Sequence, residues 1–128
     1  MNREPMRSPL GQALGVGSAK NGVEQWWLQW VTAIALVPLT VWFAASLMAH
    51  AGDDYGTFIA WLRMPIATIL MALLLIALFY HTALGLQVVI EDYVHFRLKI
   101  PALLAMRFGC FALTVAGILA ILRVAFGA

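Results

Sequence analysis

Residues 65–90, PIATILMALLLIALFYHTALGLQVVI, decide the fold. No Asp, Glu, Lys or Arg occurs between Arg63 and Glu91. A helix needs about 20 apolar residues to cross about 30 Å of hydrocarbon at 1.5 Å per residue, so this stretch is long enough to span a bilayer. Working outward, a second uncharged stretch lies between Glu24 and Asp53, and a third, interrupted only by arginine, follows Pro101. These stretches predict an all-α membrane protein of three transmembrane helices near 26–48, 65–90 and 102–126. All belong to one membrane domain over 1–128, with an extramembranous tail over 1–22.

Composition excludes a soluble fold. Of 128 residues 63% are apolar and 11% charged, against about 45–50% and about 25% in an average soluble domain. The formal charge of +2 is too small to imply a nucleic-acid partner. The single cysteine, Cys110, falls in the third span, so no intrachain disulfide can form, and it reads as small apolar filler. The tail carries Arg3, Glu4, Arg7 and Lys20 among Gly, Ser and Pro, without the apolar core and cleavage site of a signal peptide.

Charge placement gives an orientation. Arg3, Arg7 and Lys20 precede the first span, and Arg97, Lys99 and Arg107 surround the second connection, whereas Arg63 sits with Asp53 and Asp54 in the first. Basic residues favour the cytoplasmic side, so the N-terminus and the loop from Glu91 to Pro101 are expected there. The loop from Asp53 to Trp61 and the C-terminus are then external, with Arg123 in weak opposition. Trp26, Trp27, Trp30, Tyr55 and Trp61 fit interfacial belts. Pro38 predicts a bend in the first helix. Ala112, Ala116 and Ala120, beside Gly109 and Gly117, mark a row along which helices can approach closely.

The chemistry concentrates at the end of the second span, from Phe79 to His95. His81 is an imidazole in the membrane, where an unpaired polar group costs several kcal/mol. At 100° per residue Ala77, His81 and Gly85 form one stripe, with a small residue on either side of the ring. A flat macrocycle with His81 as its iron ligand fits there. So does a histidine bonded to a carbonyl or hydroxyl of a neighbouring helix. Asp92 returns to within about 20° of this stripe some 16 Å along, at headgroup level, and Tyr93 follows with a phenol that can donate a hydrogen bond. Together they would serve an amphipathic ligand with carbonyl oxygens, or they are a solvated helix end and a belt aromatic.

His81, Gly85, Gln87, Asp92 and Tyr93, in the order H-x3-G-x-Q-x4-D-Y, resemble the haem-and-quinone motif of the smaller, hydrophobic membrane anchor of succinate dehydrogenase. The stretch from Gly17 to Gly22, leading into the segment from Trp26 to Ile34, resembles that family's entry to its first helix. The chain departs from the family at Trp30, where an arginine thought to help hold a haem propionate is usual; Arg107 or a partner's basic residue is the expected substitute.

The resemblance implies half of a heterodimeric haem-binding helix bundle, in a respiratory complex that oxidises succinate and reduces quinone to quinol. It implies His81 as axial ligand to the iron of a b-type haem shared with the partner anchor, with Gly85 clearing the macrocycle. Tyr93 would hydrogen-bond the quinone, and Asp92 would serve its proton network. The expected quinone is ubiquinone, with menaquinone the alternative. The implied partners are a second membrane anchor of the cytochrome b type, an iron–sulfur subunit, a flavoprotein and membrane lipid. The chain would then be a non-autonomous part of the enzyme, with no catalytic residue for succinate oxidation. Its expected place is the bacterial cytoplasmic (inner) membrane, since the tail lacks an Arg-rich, acid-poor leader. Two other classes fit three short helices: a small transporter or channel component, disfavoured by helix centres free of charge, and an anchor without haem.

Overall fold

In the computed structural model, residues 17–127 are described, and every regular element among them is helical. Helix α1 (Gly17–Ala49) is followed by a short α2 (Tyr55–Leu62), then α3 (Pro65–Tyr93), a 3-10 turn (Phe96–Leu98) and α4 (Lys99–Ala125). Three segments are long and apolar enough to cross a membrane, Gly22–Ala49, Pro65–Tyr93 and Lys99–Ala125. Arg3 and Arg7 lie outside the described residues.

The helices overrun the expected boundaries. α1 begins at Gly17, so the last residues of the expected tail are helical; α3 continues through Glu91, Asp92 and Tyr93; α4 starts at Lys99. Charge marks where hydrocarbon ends, whereas a helix can continue into the headgroups with its backbone bonds made internally. Pro101 does not delay α4, because an N–H in the first turn has no intrahelical acceptor to lose. α1 runs on through Pro38.

The first connection contains a helix that the hydropathy pattern did not indicate. Asp54 takes an extended N-cap conformation (φ −71°, ψ 164°), its carbonyl accepts from the Phe58 amide at 3.0 Å, and its carboxylate accepts from the Thr57 hydroxyl. The Thr57 hydroxyl holds this exposed carboxyl below its ordinary value of 3.8, with further help from nearby amides. Met64, extended ahead of Pro65 at the start of α3, separates α2 from α3. Trp61 of α2 packs on His50 and Trp42, with ring centroids 4.5 and 6.1 Å apart.

α3 is the central element: both α1 and α4 pack on it, and neither packs on the other. Part-buried positions on α1 follow the helical repeat through Gln25, Gln29, Thr32, Leu36, Leu39, Phe43 and Ser46, so this stripe faces α3. On α4 the contact is made at Gly117, where a Cβ would come within 2.5 Å of Leu75 Cδ2. Ala112, Ala116 and Ala120 are exposed, so the intrachain approach uses Gly117 and leaves most of the alanine row outward. Among the described residues only Ala67 is buried. Three helices side by side cannot enclose a core, and lipid or other chains must cover the rest.

Candidate functional site

His81 lies about 18 Å from the C-terminal end of α3. Of the three histidines it alone lies in a membrane-spanning helix: His50 follows α1, beside Asp53, and His95 precedes the 3-10 turn. The ring faces α1, where His81 Nδ1 and Thr32 Oγ1 are 3.0 Å apart. The Thr32 hydroxyl also lies 2.8 Å from the Leu28 carbonyl and 3.0 Å from that of Gln29, the back-bonding of a threonine on the preceding turn. This is the neighbouring hydroxyl that one reading of the sequence foresaw. It uses one ring nitrogen of two, and among the described residues Nε2 has no hydrogen-bond partner.

Gly85, one turn on, also faces α1. A Cβ there would lie 3.8 Å from Gln29 Nε2, an ordinary van der Waals contact. The clearance expected for a macrocycle therefore opens onto the Gln29 amide. Among the described residues Gln25 Nε2 and Gln29 Oε1 are buried without a hydrogen-bond partner, and each such atom carries a desolvation cost until something pairs with it. Gln25, Gln29 and Thr32 thus form a polar stripe in the first half of α1, turned toward α3. Their signal in the sequence was polarity at a spacing of three to four residues in an apolar helix, since such groups face a protein interior.

A second polar group lies on another side of α3. Arg107 Nη2 donates to Gln87 Oε1 at 3.3 Å, and Gln87 Nε2 donates to Glu91 Oε1 at 3.0 Å. Arg107 also borders a cleft with Tyr80, Ala83 and Leu84. Those α3 positions centre about 110° around the helix from His81, so Arg107 is committed away from the His81–Thr32 contact. Trp30 points outward and packs on Trp26, with ring centroids 5.8 Å apart.

Asp92 and Tyr93 end α3 beyond this network. Both are exposed, and Tyr93 retains 79% of its accessible surface. The last turn of the helix thus carries an exposed carboxylate and an exposed phenol. No cluster of three or more His, Cys, Asp or Glu side chains placed to hold a metal ion occurs among the described residues.

Comparison with known proteins shows a family match for the chain. The model for the succinate dehydrogenase/fumarate reductase transmembrane subunit matches residues 4–121. The chain is 40% identical over 88 residues to a succinate dehydrogenase hydrophobic membrane anchor subunit of Rickettsia bellii, covering 69% of this chain and 70% of that one. It is 29% identical to the subunit of the same name in Rickettsia conorii, over 90% and 93% of the two chains. The match to that of Paracoccus denitrificans is 27%, over 94% of each. No solved structure matches.

Proposed function

The chain belongs to the succinate dehydrogenase/fumarate reductase transmembrane subunit family, and from that membership we propose that it helps bind a b-type haem and a quinone. Electrons from succinate oxidation would then reduce quinone to quinol. The observation that carries this reading is His81, the one imidazole in a membrane-spanning helix, with Nδ1 held by Thr32 and Nε2 without a hydrogen-bond partner among the described residues. A neutral imidazole nitrogen of this kind is what haem iron takes as an axial ligand. The donor set fits: one nitrogen is fixed by the protein and the other is available.

A haem bound there supplies a one-electron redox centre within the membrane. His81 Nε2 would hold the haem iron from this chain, and a histidine of the second membrane anchor, of the cytochrome b type, would hold it from the other. Gly85, one turn from His81, would keep bulky side chains clear of the macrocycle. Tyr93 donates its phenolic hydrogen bond to a carbonyl oxygen of the quinone, with ubiquinone the expected substrate. Asp92 moves protons from water to the same region, since reducing a quinone to a quinol takes up two electrons and two protons. The remaining partners are the iron–sulfur and flavoprotein subunits, which carry the succinate chemistry. The membrane is the bacterial inner membrane, with the N-terminus cytoplasmic and the C-terminus periplasmic.

The test is the visible and magnetic-resonance spectrum of the purified complex. Wild type should give a b-type Soret band and a six-coordinate low-spin signal, and His81→Leu should lose the low-spin signal or the haem. A fully preserved low-spin spectrum in His81→Leu, with no substitute ligand detectable, would falsify the assignment. Absence of the band from the wild-type complex would leave the anchor without haem.

A further inference from the structure

A neutral imidazole in the membrane has two tautomers, and only one of them leaves Nε2 able to bind a metal. The protons around Thr32 decide between them. A hydroxyl has one proton to donate and lone pairs with which to accept. The Thr32 hydroxyl has three close partners: the Leu28 carbonyl at 2.8 Å, the Gln29 carbonyl at 3.0 Å and His81 Nδ1 at 3.0 Å. The two carbonyls can only accept, so they claim the single proton. The contact to His81 is then satisfied if Nδ1 carries the hydrogen and donates it to Thr32 Oγ1.

We propose that Thr32 is the positioning residue for His81: its hydroxyl, oriented by the α1 carbonyls, accepts from Nδ1–H and thereby presents an unprotonated Nε2 to a metal. The inference rests on the reading of His81 as a haem ligand and deepens it. Three features set its strength. Threonine is stiff at χ1, the hydroxyl is anchored to its own helix, and the contact joins α1 to α3. Ring orientation therefore depends on the register between the two helices. An acceptor on the far nitrogen of a ligating histidine also raises its basicity. A more basic ligand favours the oxidised iron, so the hydroxyl holds the haem potential down.

The experiment compares Thr32→Val with Thr32→Ser in the purified complex. Valine preserves the branched shape and removes the hydroxyl; serine keeps the hydroxyl and removes the methyl. In Thr32→Val the haem midpoint potential should rise, the low-spin signal should move, and haem retention should weaken about tenfold or more, the usual scale for losing the outer partner of a ligating histidine. Thr32→Ser should stay close to wild type on all three measures. If Val impairs assembly, Thr32→Ala is read in the same way. A wild-type potential and signal in the hydroxyl-free variant would overturn the proposal, and so would equal shifts in Val and Ser, which would indicate packing alone. His81→Leu, measured alongside, separates the two readings. A low-spin signal surviving there removes the ligand assignment itself, whereas its loss, together with an unperturbed Thr32→Val, removes only the role of Thr32.

Discussion

At the residue scale, Tyr93 is a large aromatic left almost wholly exposed at a helix end. Its ring can lie among lipid chains while its phenol reaches the interface. For a quinone, whose carbonyls gain negative charge as electrons arrive, a phenolic donor acts at the atom that changes most. A hydrogen bond to a charged group is worth about 1.5–3 kcal/mol, so Tyr93→Phe should lower quinone reductase activity by about tenfold or more. Succinate oxidation with an artificial acceptor should stay near wild type, since that route bypasses the membrane site. Equal losses in the two assays would mean instead that the variant misassembles. His81 and Tyr93 were both legible in the sequence as candidates, because an imidazole in an apolar span and a phenol at its end stand out on polarity alone. Thr32 was not legible as the partner of His81. A threonine in a membrane helix commonly bonds its own backbone, and only the register of α1 against α3 reveals the second contact.

Elements raise a different question, which is how closely two helices can approach. α4 meets α3 at Gly117, whose missing side chain accommodates Leu75. A methyl at 2.5 Å from Leu75 Cδ2 forces that side chain to move, and overpacking of this kind costs about 1–3 kcal/mol. Because the obstruction is the end of a flexible side chain, Gly117→Ala should fall at the lower end of that range and Gly117→Val higher. Combined with Leu75→Ala, the penalty of Gly117→Ala should largely disappear. A thermal-stability double-mutant cycle measures this coupling; strictly additive effects would show that Leu75 is not what Gly117 accommodates. The small-residue pattern was visible in the sequence, but periodicity cannot say which face of an apolar helix turns toward its neighbour. The alanine row and Gly117 lie on different sides of α4, and hydropathy is nearly the same all round. The spans were legible for the opposite reason, since a bilayer imposes a strong requirement on length and charge. α2 escaped notice because local contacts sustain it: the Asp54 carboxylate accepts from the Thr57 hydroxyl, and Trp61 packs on α1.

For the whole molecule, three long helices fix relative directions before any membrane is considered. Thr32 meets His81, while further along α1 Thr40 and Phe43 border the same cleft as Leu74 and Leu78, so α1 and α3 are antiparallel. Arg107 meets Gln87, while Ile121 shares a cleft with Met71, so α3 and α4 are antiparallel too. The start of α1 therefore shares one end of the molecule with the α3–α4 connection. That end carries Lys20, Arg97 and Lys99, and the other carries Arg63 and Arg123. Arg63 Nε donates to the Val124 carbonyl at 3.0 Å, placing its charge at the C-terminus of α4, where the helix dipole favours a cation. Basic residues near span ends favour the cytoplasm, and the first end has the larger share. Single cysteines introduced at positions 20 and 99 in a Cys110→Ser background should react with a membrane-impermeant maleimide only after the cells are opened. A cysteine at position 53 should react in intact cells. The reverse pattern would invert the molecule, moving Asp92 and Tyr93 to the external face, and with them the proposed source of quinone protons.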